Sequence, residues 1–547
     1  MITIVLSERD FDYELQALVN SFFPWQKSTV CVETEEEIDT DAGLLRAIEK
    51  QNGEAAGKKS DAKAEEKAED GQFAIGIVFK KKEISILVLC GSICLSKSVT
   101  VSGEDDWHRH KDKSAHPYRT YYKNELKRLL FHMLCEIPEK DLPAGIVRKI
   151  PDWGTMTGVR PTKIPMNELL QGKTGRQVEE SLKQWYCCTD EKRHLCLSVA
   201  QKEAELLKDI DFDNGYSLYI GIPFCPTTCL YCSFPSYPFE QFGHLAGQYL
   251  QALKKEIVSV AKECRGHKLT SIYIGGGTPT ALTAEQLDEL LACVRTCFPV
   301  DDGYEFTVEA GRPDSITREK LEVLRRHGVE RISVNPQTMQ QKTLDLIGRK
   351  HTVTETKEAF QMAKELGFTN INMDLIAGLP GETLEDFSDT LQQIRQLNPD
   401  SLTVHSLVVK RASRLRSVLE QAGDYVQEEK IRCERMEQML IMAQEFAKQE
   451  GYQPYYMYRQ KNSAGHFGSS GQENIGFSRE GKECLYNILI MEEMQTIVAV
   501  GAGASTKRYH PDKKIVSRVE NVKSITDYIS RIDEMIERKK GIFVAER

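Results

Sequence analysis

The chain has 547 residues, 40% of them hydrophobic and 28% charged, and a formal net charge of −9. That length exceeds what one hydrophobic core serves and predicts two or three domains of roughly 100–200 residues each. The composition is that of a folded globular chain, and the acidic total argues against nucleic acid or an anionic membrane surface as partner.

The opening "MITIVLSERDFDYELQ" lacks the basic segment, apolar run and small-residue site of a secretory leader, and no stretch approaches the roughly 18 apolar residues of a membrane helix. A cytoplasmic protein is expected. At residues 52–70 the chain has no large apolar side chain and many charges, which predicts a mobile insertion, because burial there cannot offset the entropy of ordering. Beyond it, "FAIGIVFKKKEISILVLCGSICLS" predicts antiparallel strands, and "YRTYYKNELKRLLFHMLCEI" spaces its apolar residues like an amphipathic helix. Residues 1–205 therefore read as an N-terminal α+β domain. "DWGTMTGVRPTK" holds turn formers and basic residues, but its spacing alone assigns no chemistry. The fifteen cysteines are odd in number and widely scattered, unlike the disulfide framework of a small secreted scaffold. The pairs Cys187/Cys188 and Cys293/Cys297 read as packing residues.

After residue 216 the pattern sharpens. Six short β-branched or aromatic segments follow: "SLYIGIP", "SIYIGGG", "EFTVEA", "RISVNPQ", "NINMDLIAG" and "SLTVHSLV". Stretches with helical spacing, such as "LAGQYLQALKKEIVSVAKEC" and "TAEQLDELLACVRTCF", separate them. Alternating strand and helix predicts a parallel sheet, and both an incomplete barrel and an open doubly wound sheet fit it. Side-chain parity adds a constraint, because alternate residues of a strand point to opposite faces. One parity is uniformly apolar: Leu218, Ile220 and Ile222; Ile272 and Ile274; Phe306 and Val308; Ile332 and Val334; Ile371, Met373 and Leu375; Leu402 and Val404. The other carries Tyr219, Tyr273, Gly275, Gly277, Thr307, Glu309, Ser333, Asn335, Gln337, Asn372, Asp374, Thr403 and His405. A closed core barrel fills its interior with branched aliphatics, so this polar face favours a barrel around a polar ligand, with its site at the strands' C-terminal ends.

"YIGIPFCPTTCLYCSFP", residues 219–235, follows the first strand and spaces Cys225, Cys229 and Cys232 as CxxxCxxC. Structural zinc is the ordinary alternative, but it takes four protein ligands, and the nearest downstream histidine, His244, lies at a spacing unlike a zinc finger's. Three thiolates suit a [4Fe–4S] cluster with one iron left open to a non-protein ligand. "IGGGTPT", residues 274–280, lets backbone approach a ligand closely and lacks the Lys-Ser/Thr ending of a phosphate loop. Glu309 ends the third strand, where a carboxylate either accepts from ribose hydroxyls or caps a helix. Gln337, Arg349 and Asp374, taken singly, are ordinary cap, surface or turn residues.

CxxxCxxC with Tyr231 before its last cysteine resembles the radical S-adenosylmethionine (SAM) superfamily. There the open iron binds SAM, and the reduced cluster cleaves it to a 5′-deoxyadenosyl radical inside a partial barrel. "YIGIPFC", "GGGTPT", "VEAGRPD", "ISVNPQT", "GRKHT" and "INMDLIAGLPGET", in that order, resemble one branch, the oxygen-independent coproporphyrinogen III oxidases or coproporphyrinogen dehydrogenases. The likeness spans residues 217–410 and extends more loosely to 510. The N-terminal extension with "WGTMTGVRPTK", together with "YYMYRQKN" and "KECLYNILIMEE", is similar to the long Firmicutes-type subgroup.

The resemblance implies an α/β fold: a partial (β/α)6 radical SAM barrel over 206–410, the extension 1–205, and a mainly helical, mixed α/β C-terminal domain over 411–547 covering the barrel mouth. It implies Cys225, Cys229 and Cys232 as cluster ligands and Tyr219, Gly276 and Glu309 at the cluster-bound SAM. Tyr231, Gly277, Thr278, Gln337, Arg349, Asp374 and Val408 would line a second SAM position. The implied reaction is oxidative decarboxylation of two propionates of coproporphyrinogen III to vinyl groups, giving protoporphyrinogen IX. Expected partners are this tetrapyrrole and an electron donor such as flavodoxin or ferredoxin, with neither nucleic acid nor membrane, and the chain is expected to be a monomer. Arg312, Arg411 and Arg414 are candidates to pair with propionates.

The chain departs from the branch in two places. Phe234 stands where the dehydrogenases have a fourth cysteine, as in related haem chaperones. The chaperones' haem-binding His-Asn-x-x-Tyr-Trp segment corresponds here to "GKECLYNILIMEE", with Cys484 and Asn487 but no histidine or tryptophan. A haem-delivery protein, and a radical SAM enzyme acting on another substrate such as a methylase, are the rival expectations.

Overall fold

The computed structural model describes residues 1–33, 43–48, 50, 73–80, 82–101, 117–232, 236–298, 304–409, 413–421, 425–460 and 473–543. The insertion expected at 52–70, Phe234 and Arg411 lie outside the described residues. The chain forms two compact units, one within Met1–Leu197 and one comprising Ser198–Gln460 with Gln472–Arg547.

In the first unit, β1 (Ile2–Leu6), β2 (Ser28–Val32), β3 (Phe73–Lys80), β4 (Glu83–Cys90) and β5 (Ile93–Thr100) form a sheet of order β2-β1-β3-β4-β5. β1 runs parallel to both neighbours, and β3, β4 and β5 are the antiparallel set that the alternating residues predict. Ile2, Ile4, Leu6, Ile75 and Ile77 share one core with Leu15 and Phe22 of the helix Asp12–Phe22 and with Leu126 and Leu130 of the helix Pro117–Glu136. Val5, Ala74 and Val78 pack on the opposite face, as period-two alternation requires. This is the α+β arrangement expected of the N-terminal part.

The second unit contains β6 (Gly215–Ile222), β7 (Phe224–Cys225), β8 (Tyr237–Pro238), β9 (Lys268–Gly276), β10 (Glu305–Gly311), β11 (Arg331–Val334), β12 (Asn370–Ala377) and β13 (Ser401–Ser406). β14 (Gln453–Arg459), β15 (Glu473–Ser478), β16 (Thr496–Val500), β17 (Ser505–His510) and β18 (Ile515–Glu520) follow. Among the described residues its main sheet has eleven strands in the order β14-β15-β13-β12-β11-β10-β9-β6-β16-β17-β18. The six expected strands, β6 and β9 to β13, run parallel at its centre. The sheet ends at β14 and β18 without closing, an incomplete barrel. Residues 411–547, read from sequence as a domain of their own, contribute five of its strands: β16 lies parallel to β6, and β15 lies antiparallel to β13.

Threonines start the connecting helices. Thr283, Thr352 and Thr383 form capping boxes with Gln286, Glu355 and Asp386, satisfying backbone donors that the first helical turn leaves free. Every residue of the apolar parity is at most 1% exposed, while Tyr219, Tyr273, Glu309, Asn335, Asp374 and His405 keep partial exposure. Thr307, Ser333, Gln337, Asn372 and Thr403 of the same polar parity are buried, so burial follows parity fully on the apolar face and only in part on the polar one. The C-terminal segment is pinned to the helix Ala246–Glu263 by a buried network around Glu256. Its carboxylate accepts from Lys539 Nζ at 2.6 Å, Asn521 Nδ2 at 2.8 Å, the Gly501 amide at 2.9 Å and the Tyr528 hydroxyl. Among the described residues no helix is long and apolar enough to cross a membrane.

Candidate active site

The cysteine segment begins where β6 ends. The Gly277 amide donates to Ile222 O and the Thr278 amide to Phe224 O, both at 2.7 Å, so the glycine turn after β9 is stitched to the backbone leading into Cys225. A Cβ on Gly277 would lie 2.4 Å from Phe224 O, a separation that glycine alone permits. At the other end of the loop, β7 pairs with β8.

Cys225, Cys229 and Cys232 line one cavity of about 190 Å³ together with Thr227, Tyr231, Gly276, Gly277, Thr278, Arg312, Asn335, Gln337 and Arg349. Burial pushes the Cys225 thiol up to about 11, against a hydrogen bond from Thr278 Oγ1 at 3.6 Å. The Arg349 guanidinium donates to Tyr231 Oη at 3.1 Å and to Asn335 O at 2.5 Å. Gln337 adopts φ 70°, a left-handed conformation uncommon for a residue with a side chain, and bridges β11 to β12 through Asp374 O and the Ile376 amide.

These residues fit an iron–sulfur cluster with a bound small molecule. Three soft donors share one cavity with Gly276 and Gly277, and Asn335 Oδ1 and Arg349 Nε are buried polar atoms without a hydrogen-bond partner. Among the described residues no three His, Cys, Asp or Glu side chains converge on a single-ion site.

Glu309 lies beside this cavity. Burial, with some repulsion from Asp374, pushes its carboxyl up to about 7, against hydrogen bonds from the Tyr273 hydroxyl and the Gly276 amide. Tyr273 Oη donates to Glu309 at 2.5 Å, and a Cβ on Gly275 would lie 2.8 Å from the Glu309 carboxyl carbon. Tyr219, Tyr273 and Tyr486 form a cluster of near-parallel rings, with centroids 4.4 Å apart for Tyr273–Tyr486, 6.3 Å for Tyr219–Tyr273 and 6.1 Å for Tyr219–Tyr486. Tyr486 is held there because Glu305 on β10 accepts from the amides of Leu485 and Tyr486 at the start of the helix Leu485–Glu492. Glu305 also accepts from the Cys484 thiol at 3.2 Å.

A second cavity of about 390 Å³ shares Tyr231, Cys232 and Gln337 with the first and is lined further by Ile376, His405, Ser406, Leu407, Val408, Tyr458 and Gln460. Burial lowers the pKa of His405, opposed by the nearby charge of Asp374.

The structure gathers most of the predicted site residues at the first cavity and Val408 at the second. Tyr219, Glu309 and Asp374 line neither. Tyr219 and Glu309 approach the first through Gly276, whereas Asp374 accepts from Asn372 Nδ2 at 2.7 Å. Arg312, expected beside a propionate, is instead 4% exposed and paired in a fork with Asp314. Arg414 is exposed and donates to Thr228 O at 2.6 Å. Tyr458 and Gln460 belong to "YYMYRQKN", which sequence reading used only as a subgroup signature; their common parity along β14 and its extension was the available signal.

Fold, thiol triad and glycine turn together define a radical SAM protein, and the radical SAM superfamily profile matches residues 219–394. The chain is 41% identical over 402 residues to the oxygen-independent coproporphyrinogen-III oxidase-like protein HemZ of Bacillus subtilis (strain 168), covering 72% of this chain and 77% of that one. It belongs to this coproporphyrinogen III oxidase-like family, and its cofactors are a [4Fe–4S] cluster and SAM. The heme chaperone HemW of the same organism is 39% identical over 195 residues, covering 36% of this chain and 51% of that one. Coproporphyrinogen III oxidase (HemN) from Escherichia coli is 26% identical in structural alignment, with a TM-score of 0.47 over 64% of this chain and 74% of that one.

Proposed function

We propose that the protein oxidatively decarboxylates propionate side chains of coproporphyrinogen III to vinyl groups, forming protoporphyrinogen IX. The observation that carries this reading is the pair of adjoining cavities. One is lined by three thiols, and the larger opens beside Cys232 with apolar walls from Ile376, Leu407 and Val408 and polar groups from His405, Ser406, Tyr458 and Gln460. An amphipathic ligand with an apolar body and acidic arms suits such a lining.

When bound, the cluster and SAM supply a hydrogen-abstracting radical. Cys225, Cys229 and Cys232 would hold three irons, and Tyr219, Gly276 and Glu309 would hold the SAM on the open iron. Glu309 is placed to accept from ribose hydroxyls, with Tyr273 fixing its orientation. Gly277, Thr278, Gln337, Arg349, Tyr231, Asp374 and Val408 surround the space for a second SAM or for substrate. Each propionate would lose one hydrogen atom from its β-carbon to the adenosyl radical, then CO2, with one electron passing to an external one-electron acceptor, leaving the alkene. A flavodoxin or ferredoxin would reduce the cluster.

The relationship to HemW raises haem delivery as a rival, yet Cys484, in the position of the chaperones' haem-binding segment, is fully buried with its thiol engaged by Glu305. The deciding experiment is anaerobic incubation of cluster-loaded protein with SAM, dithionite and coproporphyrinogen III, with Cys229→Ala as control. Vinyl product from the wild type and none from the variant is expected. SAM cleavage without vinyl product, or a stoichiometric haem absorbance band in its place, would overturn the assignment.

A further inference from the structure

Arg312 follows Gly311 at the end of β10 and lines the thiol cavity, yet nothing in the proposed reaction uses it. Its Nε and Nη2 donate to the two oxygens of Asp314 at 3.0 and 2.6 Å. Its Nη1 donates to Thr227 Oγ1 at 2.6 Å and to Thr227 O at 3.2 Å. The planar guanidinium is thereby held rigidly from two sides, and the same Nη1 donates to Cys229 Sγ at 3.9 Å. Asp314 offers acceptors alone, so it aligns the guanidinium without competing for the sulfur.

We propose that Arg312 is a positioning residue that raises the reduction potential of the cluster, through an N–H···S hydrogen bond to Cys229. The inference rests on the assignment of Cys229 as a cluster ligand and is independent of the substrate. Reduction brings one electron into the cluster, from dithionite in the test, with no bond made or broken. Added negative charge is favoured by hydrogen bonds to the ligating sulfurs, which are main determinants of iron–sulfur potentials. Thr278 makes the comparable contact to Cys225 with a neutral hydroxyl.

The test is an anaerobic redox titration monitored by EPR, without SAM, on wild type, Arg312→Gln and Arg312→Lys, each first assayed for iron and acid-labile sulfide. The expected result is a midpoint at least about 59 mV lower in Arg312→Gln, a tenfold change in the one-electron equilibrium, with Arg312→Lys between it and wild type. Equal midpoints in fully loaded proteins would overturn the proposal while leaving the cluster intact. If Arg312→Gln retains no iron, pulsed EPR of reduced wild type labelled with 15N-arginine decides. A 15N coupling that Arg312→Lys lacks supports the contact, and no such coupling refutes it. Wild type that takes up neither iron nor sulfide would defeat the cysteine assignment itself, and this inference with it.

Discussion

Glu309→Gln should move stability and cofactor affinity in opposite directions. Burial raises the carboxyl from 4.5 to about 7, which at about 1.4 kcal/mol per pKa unit is a penalty of about 3 kcal/mol on the ionised folded state. Because the folded-state value is the higher one, the penalty is absent below about 4.5, grows as pH rises and is complete above about 7. The groups facing Glu309 do not remove it. Tyr219, Tyr273 and Tyr486 are themselves pushed up by burial and stay protonated, and Asp374 adds repulsion. The amide of Glu309→Gln carries no such penalty and can still accept from Tyr273, so thermal unfolding of the cluster-free variant should occur at higher temperature than wild type near pH 8 and at the same temperature near about pH 4. Binding should go the other way. Replacing hydrogen bonds to a carboxylate by neutral ones forfeits about 1.5–3 kcal/mol, a weakening of SAM affinity by about 10- to 150-fold. Equilibrium dialysis of labelled SAM on cluster-loaded protein measures it, and wild-type affinity should strengthen through about pH 7 while the variant's stays flat. Equal affinities for the two proteins near pH 8 would refute the role given to Glu309.

Three further outcomes follow from the packing. Gly277→Ala drives a methyl group against Phe224 O and Ile222 O, costing about 1–3 kcal/mol and parting the two 2.7 Å bonds that set Cys225. Iron content after anaerobic reconstitution should fall below wild type with circular dichroism unchanged, and full loading would count against the stitched-loop account. Lys539→Met leaves the Glu256 carboxylate buried without its cation, and urea titration should show a loss of about 3–5 kcal/mol, part of which Glu256→Gln added to Lys539→Met restores. Glu203 is fully buried with both carboxyl oxygens unpartnered, and burial with repulsion from Glu492 raises its pKa well above the ordinary value. Glu203→Gln should therefore stabilise the fold near neutral and alkaline pH, with the gain shrinking toward the carboxylate range; a gain independent of pH would contradict this.

The barrel was legible because two local signals coincide in it. Period-two parity marked the packed face residue by residue, and the cysteine and glycine segments each sit directly after a strand, where a site must lie if the sheet is parallel. What escaped depends on contacts between distant parts of the chain. Nothing in "TIVAVGAGAST" announces that β16 will lie parallel to β6, since an apolar run satisfies either a separate core or an added strand. Tyr486 reaches Tyr273 through a cap supplied by Glu305, a residue in another segment altogether. Arg312 misled for a local reason: a cation near a strand end looks available to an anionic substrate, and Asp314, two positions on, was the signal that its donors are already taken.

The same asymmetry of faces explains how the chain carries groups that oppose its own folding. Glu309, His405 and the Cys225 thiol disfavour their charged forms because they are buried in the barrel interior. The outward face compensates with aliphatic side chains removed almost wholly from water, each contributing about 1.5–3 kcal/mol. The C-terminal strands extend that face on both sides of the six parallel ones, and the Glu256 network fastens them. The strands β14 to β18 are therefore members of the same sheet as the six parallel ones. On the proposed assignment of Glu309 and the thiols to cofactor binding, cofactor affinity and protein stability are coupled through the same side chains.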